Sequence, residues 1–214
     1  MNFKNLIDLI KEAHKYQYAD ISDSEELIDT KKPILFFTKV QWGLVITAIL
    51  INIFIKSGYN KEFCGYIISG LSLFTGIFFT FIIALYDSFT NADFSKYYKS
   101  NSMENYPLGV RLINYYKKTT VLSIYLILLS IISIILLSCT LLFNSILNQD
   151  LDLIRILPNI CNESFLFIIK TIGIFVYRLL IFYFLSDFVV ITIYLTSSIY
   201  DFIIYKYEKV NLEK

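Results

Sequence analysis

Polar and apolar positions do not alternate along this chain; they separate into blocks. Four blocks are apolar at nearly every position: VQWGLVITAILINIFI (40–55), CGYIISGLSLFTGIFFTFIIALY (64–86), TVLSIYLILLSIISIILLSCTLLF (120–143), and a longer one opening with FLFIIKTIGIFV and closing with TSSIY (165–200). None shows the period of two of a half-buried strand or the one-sided stripe of a soluble helix. A helix that is apolar all round has apolar surroundings all round. Runs of about 20 such residues match the length of helix that crosses a hydrocarbon core about 30 Å thick. The pattern predicts an all-α fold: an integral membrane four-helix bundle of two hairpins, with short cytoplasmic helices.

Composition agrees with this reading and narrows the chemistry. Of 214 residues 56% are hydrophobic and 17% charged, with a mean hydropathy of +0.60, more apolar than a globular core requires. A net charge of +1 does not favour nucleic-acid binding by bulk electrostatics. The single His14 and the unpatterned Cys64, Cys139 and Cys161 exclude a multi-histidine metal site within one chain. The spans hold no GxSxG, HExxH or clustered carboxylates, so neither an enzyme nor a cofactor is expected. Abundant Ile, Asn, Phe and Tyr, with 16 lysines against three arginines, point to an AT-rich bacterial source. About 38 largely polar residues with no short cleavable core precede the first apolar run, so that run itself directs insertion.

Lysine and arginine placement sets the expected orientation, because short positive segments stay in the cytoplasm. The flanking segments expected inside carry 14 such residues, and those expected outside carry three: Lys56, Lys61 and Arg155. Both termini are therefore expected in the cytoplasm of a bacterial inner membrane, with 56–63 and 144–163 outside. The predicted organisation is a cytoplasmic amphipathic segment (1–38), a first hairpin (39–86), a cytoplasmic loop (87–118), a second hairpin with a long fourth helix (119–205) and a cytoplasmic tail (206–214). As one helix, 165–205 would be about 60 Å long, twice the hydrocarbon thickness. The fourth span is accordingly expected at 180–200, with 163–177, including Gly173, as a separate external or interfacial helix.

Within the spans, Arg178 and Asp187 are the costly residues. Nine residues apart, they fall on opposite faces of one helix and about 13 Å apart along it, so they cannot pair. Arg178 is expected to act at the outer interface as a snorkelling anchor or a packing partner, with Arg178→Lys tolerated; Tyr86 and Tyr200 are expected to anchor at the inner one. Asp187, Ser198, Ser130 and Ser133 are candidates for a pore lining or an intersubunit contact. Ser69, Ser72, Gly76 and Thr80, three and four apart, are candidates for close helix packing. A carboxylate hydrogen-bonded to a hydroxyl or to Trp42 is the structural alternative for Asp187. On the cytoplasmic side, Phe3, Leu6, Ile7 and Ile10 share one face of a lysine-flanked helix, suited to the membrane surface or a partner groove. Lys96, Lys99, Arg111, Lys117 and Lys118 interleave with aromatics, which suits anionic lipid, or else a nucleotide or nucleic-acid signal. Cys64 and Cys161 are near enough in the expected topology for a disulfide.

A short echo joins the hairpins: FFTK (36–39) and LYDSF (85–89) bracket the first, YYKK (115–118) and IYDFI (199–203) the second. With these four motifs, short cytoplasmic elements and no catalytic set, the plan resembles the small four-span membrane effector subunits of bacterial antiphage systems of the Hailong and Kiwa types. The resemblance covers the whole chain in architecture. It implies an oligomeric membrane complex controlled by a cytoplasmic partner, and it transfers no residue role. The function expected is a homo-oligomer in the lipid bilayer that forms or regulates an ion-conducting pathway; the alternative is a non-conducting anchor or assembly subunit for a cytoplasmic partner protein.

Overall fold

In a computed structural model the described residues are 3–17, 38–92, 105–151 and 165–212, and among them every regular element is a helix. They are α1 (Phe3–Lys15), α2 (Lys39–Phe54), α3 (Lys61–Thr90), α4 (Asn105–Leu142), the single turn α5 (Asn144–Leu147) and α6 (Phe165–Leu212). Lys96, Lys99 and Cys161 lie outside the described residues, and with them the proposed Cys64–Cys161 disulfide. Cys64 is buried and Cys139 half-buried, both as free thiols.

By length and composition α3, α4 from Gly109 and α6 to Ile204 can each cross a membrane, which makes this a multi-pass helical membrane protein. At 16 residues α2 is apolar but shorter, about 24 Å. The most apolar stretch of α4 is 56% buried, against 11% for α3, so α4 is the enclosed helix and α3 a peripheral one. Local signals place the ends. After α2 the chain passes through Ser57 and Gly58, and Asn60 then caps α3, its Oδ1 accepting the Glu62 N–H at 3.2 Å. At the other end of α3 the Thr90 hydroxyl reaches back to the carbonyls of Tyr86 and Asp87.

The expected break near Gly173 is absent: α6 is one helix of 48 residues, about 72 Å long. Thr171, Ile174 and Ile181, before and after the glycine, are all buried by the protein itself. A stretch with its own tertiary partners does not have to lie on the bilayer surface to satisfy its apolar side chains. Counting about 100° per residue, the buried face of α6 also turns along its length. It runs from Thr171, Ile174 and Arg178 to Asp187, Ile191, Leu195 and Ser198.

The chain forms two compact units. One, here the aromatic unit, takes its described residues from Met1–Thr38, Gly76–Ile127 and Val190–Lys214; the other, the arginine unit, from Lys39–Thr75 and Leu128–Val189. In the aromatic unit Tyr116 meets Phe89 and Phe202 edge-on, at ring-centroid distances of 5.4 Å each, and its hydroxyl is 2.9 Å from that of Ser88. There α1 buries Ala13 and His14, Tyr16 just after it is buried too, and Glu12 of α1 pairs with Lys117 at 2.6 Å. Burial pushes the Tyr16 hydroxyl well above the usual tyrosine range, with Glu12 adding to the effect, so it stays neutral.

Candidate functional site

Arg178 and Asp187 belong to the arginine unit, and each is enclosed by its own chain: Arg178 is 4% exposed and Asp187 not at all. Snorkelling is thus corrected to burial for Arg178. The Arg178 guanidinium donates through Nη1 to the Lys56 carbonyl at 3.2 Å, and through Nη2 to the carbonyls of Leu147 (3.4 Å) and Gln149. These acceptors follow the end of α2 and close the α4–α5 corner, where carbonyls have no partner within the helix and the dipole favours a cation. A guanidinium, planar and many-pronged, can serve several such groups together.

Neighbouring contacts tighten the same corner. The Leu151 N–H also donates to Lys56 O at 2.9 Å. The Tyr59 hydroxyl donates to the Arg178 carbonyl at 3.2 Å, and it is pushed up to about 12 by burial, against the pull of the guanidinium, so it remains a donor. Gly58 has no room for a side chain: a Cβ there would lie 1.7 Å from Asn148 Oδ1 and 2.8 Å from its Cα. Next to Arg178 in sequence, Tyr177 donates to the Leu136 carbonyl and its hydroxyl is 3.2 Å from that of Thr140. Leu151 and Ile174 form a small apolar cluster with Ile53 and Phe175 beside it.

Asp187 meets α2. Gln41, itself fully buried, donates from Nε2 to Asp187 Oδ1 at 3.4 Å, and Tyr183 stands one turn earlier on α6. Trp42, the expected indole donor, is 38% exposed. Full burial inside the chain takes Asp187 off its surface, which corrects the expectation of an intersubunit contact. Of its expected companions, Ser130 and Ser133 are buried on α4 in the same unit, and Ser198 is buried in the aromatic unit. The hydroxyls of Ser133 and Ser198 have no hydrogen-bond partner among the described residues.

The small-residue stripe of α3 also departs from expectation. Ser69, Ser72, Gly76 and Thr80 are all exposed, and a Cβ at Gly76 would meet nothing within 4 Å. The stripe is centred roughly 140° around the helix from the buried Cys64, Leu71 and Phe78. Close packing within the chain's own bundle is therefore corrected: this face points away from it. Each hydroxyl donates back to a carbonyl four residues earlier, Ser69 to Gly65, Ser72 to Ile68 and Thr80 to Gly76, the arrangement that lets a polar residue tolerate lipid.

Tyr86 and Tyr200 are exposed at 67% and 63%. Arg111 is half-buried with its guanidinium carbon 5.9 Å from the Tyr115 ring centre, Lys118 is half-buried and Lys117 is held by Glu12. Among the described residues no three of His, Cys, Asp and Glu come together as a metal site would need. Sequence reasoning missed Gln41 and Tyr59. A buried amide in the first turn of an otherwise apolar helix was a readable signal for the first; Tyr59, in a turn, carried none. No known protein family, curated protein or solved structure matches the chain.

Proposed function

We propose that the protein is a homo-oligomeric membrane protein that forms or regulates an ion-conducting pathway, in a bacterial inner membrane with both termini cytoplasmic. In this reading α2 is the fourth crossing, shortened but anchored by Gln41 and by the Arg178 corner. The observation that carries the proposal is the exposed stripe Ser69, Ser72, Gly76 and Thr80 on the peripheral helix α3. Small residues in a membrane favour close approach of helices, and among the described residues no helix covers these. Copies packed around an axis beside α3, facing its stripe, would bring the hydroxyls of several stripes to one path. Control by a cytoplasmic partner, as in a defence effector, would act through α1 and the 87–118 loop.

Ion flux from liposomes containing the purified protein tests this, with Ser72→Leu and Gly76→Leu as variants. Both residues are exposed, so folding should survive while assembly and flux are lost. A particle of one chain in nanodiscs would remove the oligomer. A stable oligomer that passes no ions would leave the second reading, a non-conducting anchor for a cytoplasmic partner. One observation favours that second reading: Asp187, Ser130, Ser133 and Ser198 are each enclosed by the described residues instead of facing an open surface.

A further inference from the structure

In the aromatic unit, α3 and α4 part near their juxtamembrane ends and leave an open groove of about 370 Å³. Its walls are largely apolar or aromatic, with Ile82, Leu85, Tyr86 and Phe89 from α3 and Ile113, Tyr116 and Val121 from α4, and Lys117 and Thr120 of α4 are its polar members. Lys117 is the one cation of this lining and stands midway along the α4 wall, a turn from Ile113 on one side and a turn from Val121 on the other; on the Val121 side the wall runs on with Ile82 and Leu85 into the membrane-crossing stretch of each helix. The Lys117 side chain is 57% exposed, and its ion-pair partner Glu12 is 35% exposed. Lys118 adjoins it in sequence, and Arg111 lies under two turns away on α4. A groove with one cationic side chain in an otherwise largely apolar wall complements a phospholipid: an anionic headgroup at Lys117, an acyl chain along Leu85, Ile82 and Val121.

We infer that this groove binds an anionic phospholipid of the surrounding leaflet, whose phosphate competes with Glu12 for Lys117. Competition follows from the geometry. A solvent-exposed ion pair is weakly held, and a lysine at an anionic membrane surface gains comparably from the lipid. Because Glu12 belongs to α1, headgroup binding would loosen one attachment of that amphipathic helix, giving the membrane a hold on the element best placed to meet a partner. The inference does not depend on ion conduction.

The test is native mass spectrometry of the full-length protein released from nanodiscs of equal parts phosphatidylglycerol and phosphatidylcholine. Phosphatidylglycerol should be retained about fivefold over phosphatidylcholine, the ratio expected from one lysine at an anionic surface. Lys117→Gln should abolish the preference, Val121→Trp should fill the groove and reduce retention of either lipid, and Glu12→Gln should raise phosphatidylglycerol retention by removing its competitor. Glu12→Gln also decides the matter if a groove variant fails to fold. Equal retention of the two lipids overturns the inference, as does a preference that survives Lys117→Gln or ignores Glu12→Gln. Displacement by inorganic phosphate would show that the charge alone is recognised and the groove is not a lipid site. A Val121→Trp protein that retains lipid but changes oligomeric state would show that a second copy fills the groove.

Discussion

The arginine unit and the aromatic unit solve the same problem, holding long apolar helices together, by different means. In the arginine unit the fixed points are directional: one guanidinium on three backbone carbonyls, a tyrosine hydroxyl on a fourth and a glycine pressed against Asn148. In the aromatic unit they are rings, with Tyr116 set edge-on between Phe89 and Phe202, and an exposed ion pair tying α1 to α4. Without water to compete, a backbone carbonyl left unpaired is costly, so hydrogen bonds fix one arrangement sharply. Ring contacts are less demanding in angle and tolerate small shifts. The difference predicts that polar substitutions act strongly in one unit and weakly in the other.

The largest effect is expected from Arg178→Leu. Lys56 O keeps its bond from Leu151 N, but the carbonyls of Leu147 and Gln149 lose their guanidinium donor, at about 1–3 kcal/mol for each buried acceptor left unpaired. Arg178→Lys should recover only part of the loss, because an ammonium is a point charge without the planar fork. Thermal unfolding in detergent, with wild type and both variants side by side, checks the order. If lysine restored full stability, the positive charge alone would matter and the carbonyl geometry would not.

Gly58→Ala comes next. A Cβ 2.8 Å from the Asn148 Cα is a clash with backbone, not merely with a side chain that can turn away, and overpacking of this kind costs about 1–3 kcal/mol. Loss should appear as faster hydrogen exchange at the amides of Leu147–Leu151, while those of α1 keep their rate. Equal acceleration in α1 would mean that the two units do not respond separately.

Asp187→Asn is expected to cost less than either, about 1 kcal/mol, since the amide can still accept from Gln41 while losing its charge. Asp187→Leu should cost more, leaving the buried Gln41 amide short of an acceptor, and Gln41→Leu made with it should return part of the difference. A double-mutant cycle by thermal unfolding measures this. A coupling indistinguishable from zero would show that the 3.4 Å contact between them contributes nothing to holding α2.

Much of the architecture was legible because an apolar block of some 20 residues has few other fates. What was not legible is which side of each helix faces what. In a helix apolar all round, periodicity cannot separate lipid from protein, so the spacing of Ser69, Ser72, Gly76 and Thr80 was readable but its direction was not. Arg178 was misplaced for a related reason: its partners are backbone carbonyls of Lys56, Leu147 and Gln149, and a carbonyl has no letter in the sequence. The two-sided burial of α6 depends on a face that turns along the helix, a property of its neighbours and not of its own residues.

The smallest effect is expected from Tyr116→Phe in the aromatic unit. It removes the 2.9 Å contact with the Ser88 hydroxyl and leaves the ring between Phe89 and Phe202. A neutral hydrogen bond of this kind contributes about 0.5–1.5 kcal/mol, and Ser88 lies at the exposed end of α3, where water can replace the phenol, so the low end of that range applies. Tyr116→Ala, which removes the ring, should cost several times more, about 3 kcal/mol or above for a buried aromatic. The pair of unfolding measurements separates the two sources of cohesion at one residue. Were Tyr116→Phe as damaging as Tyr116→Ala, the hydroxyl would be the fixed point here too, and the contrast between a unit held by directed bonds and a unit held by rings would fail where it is most exposed to test.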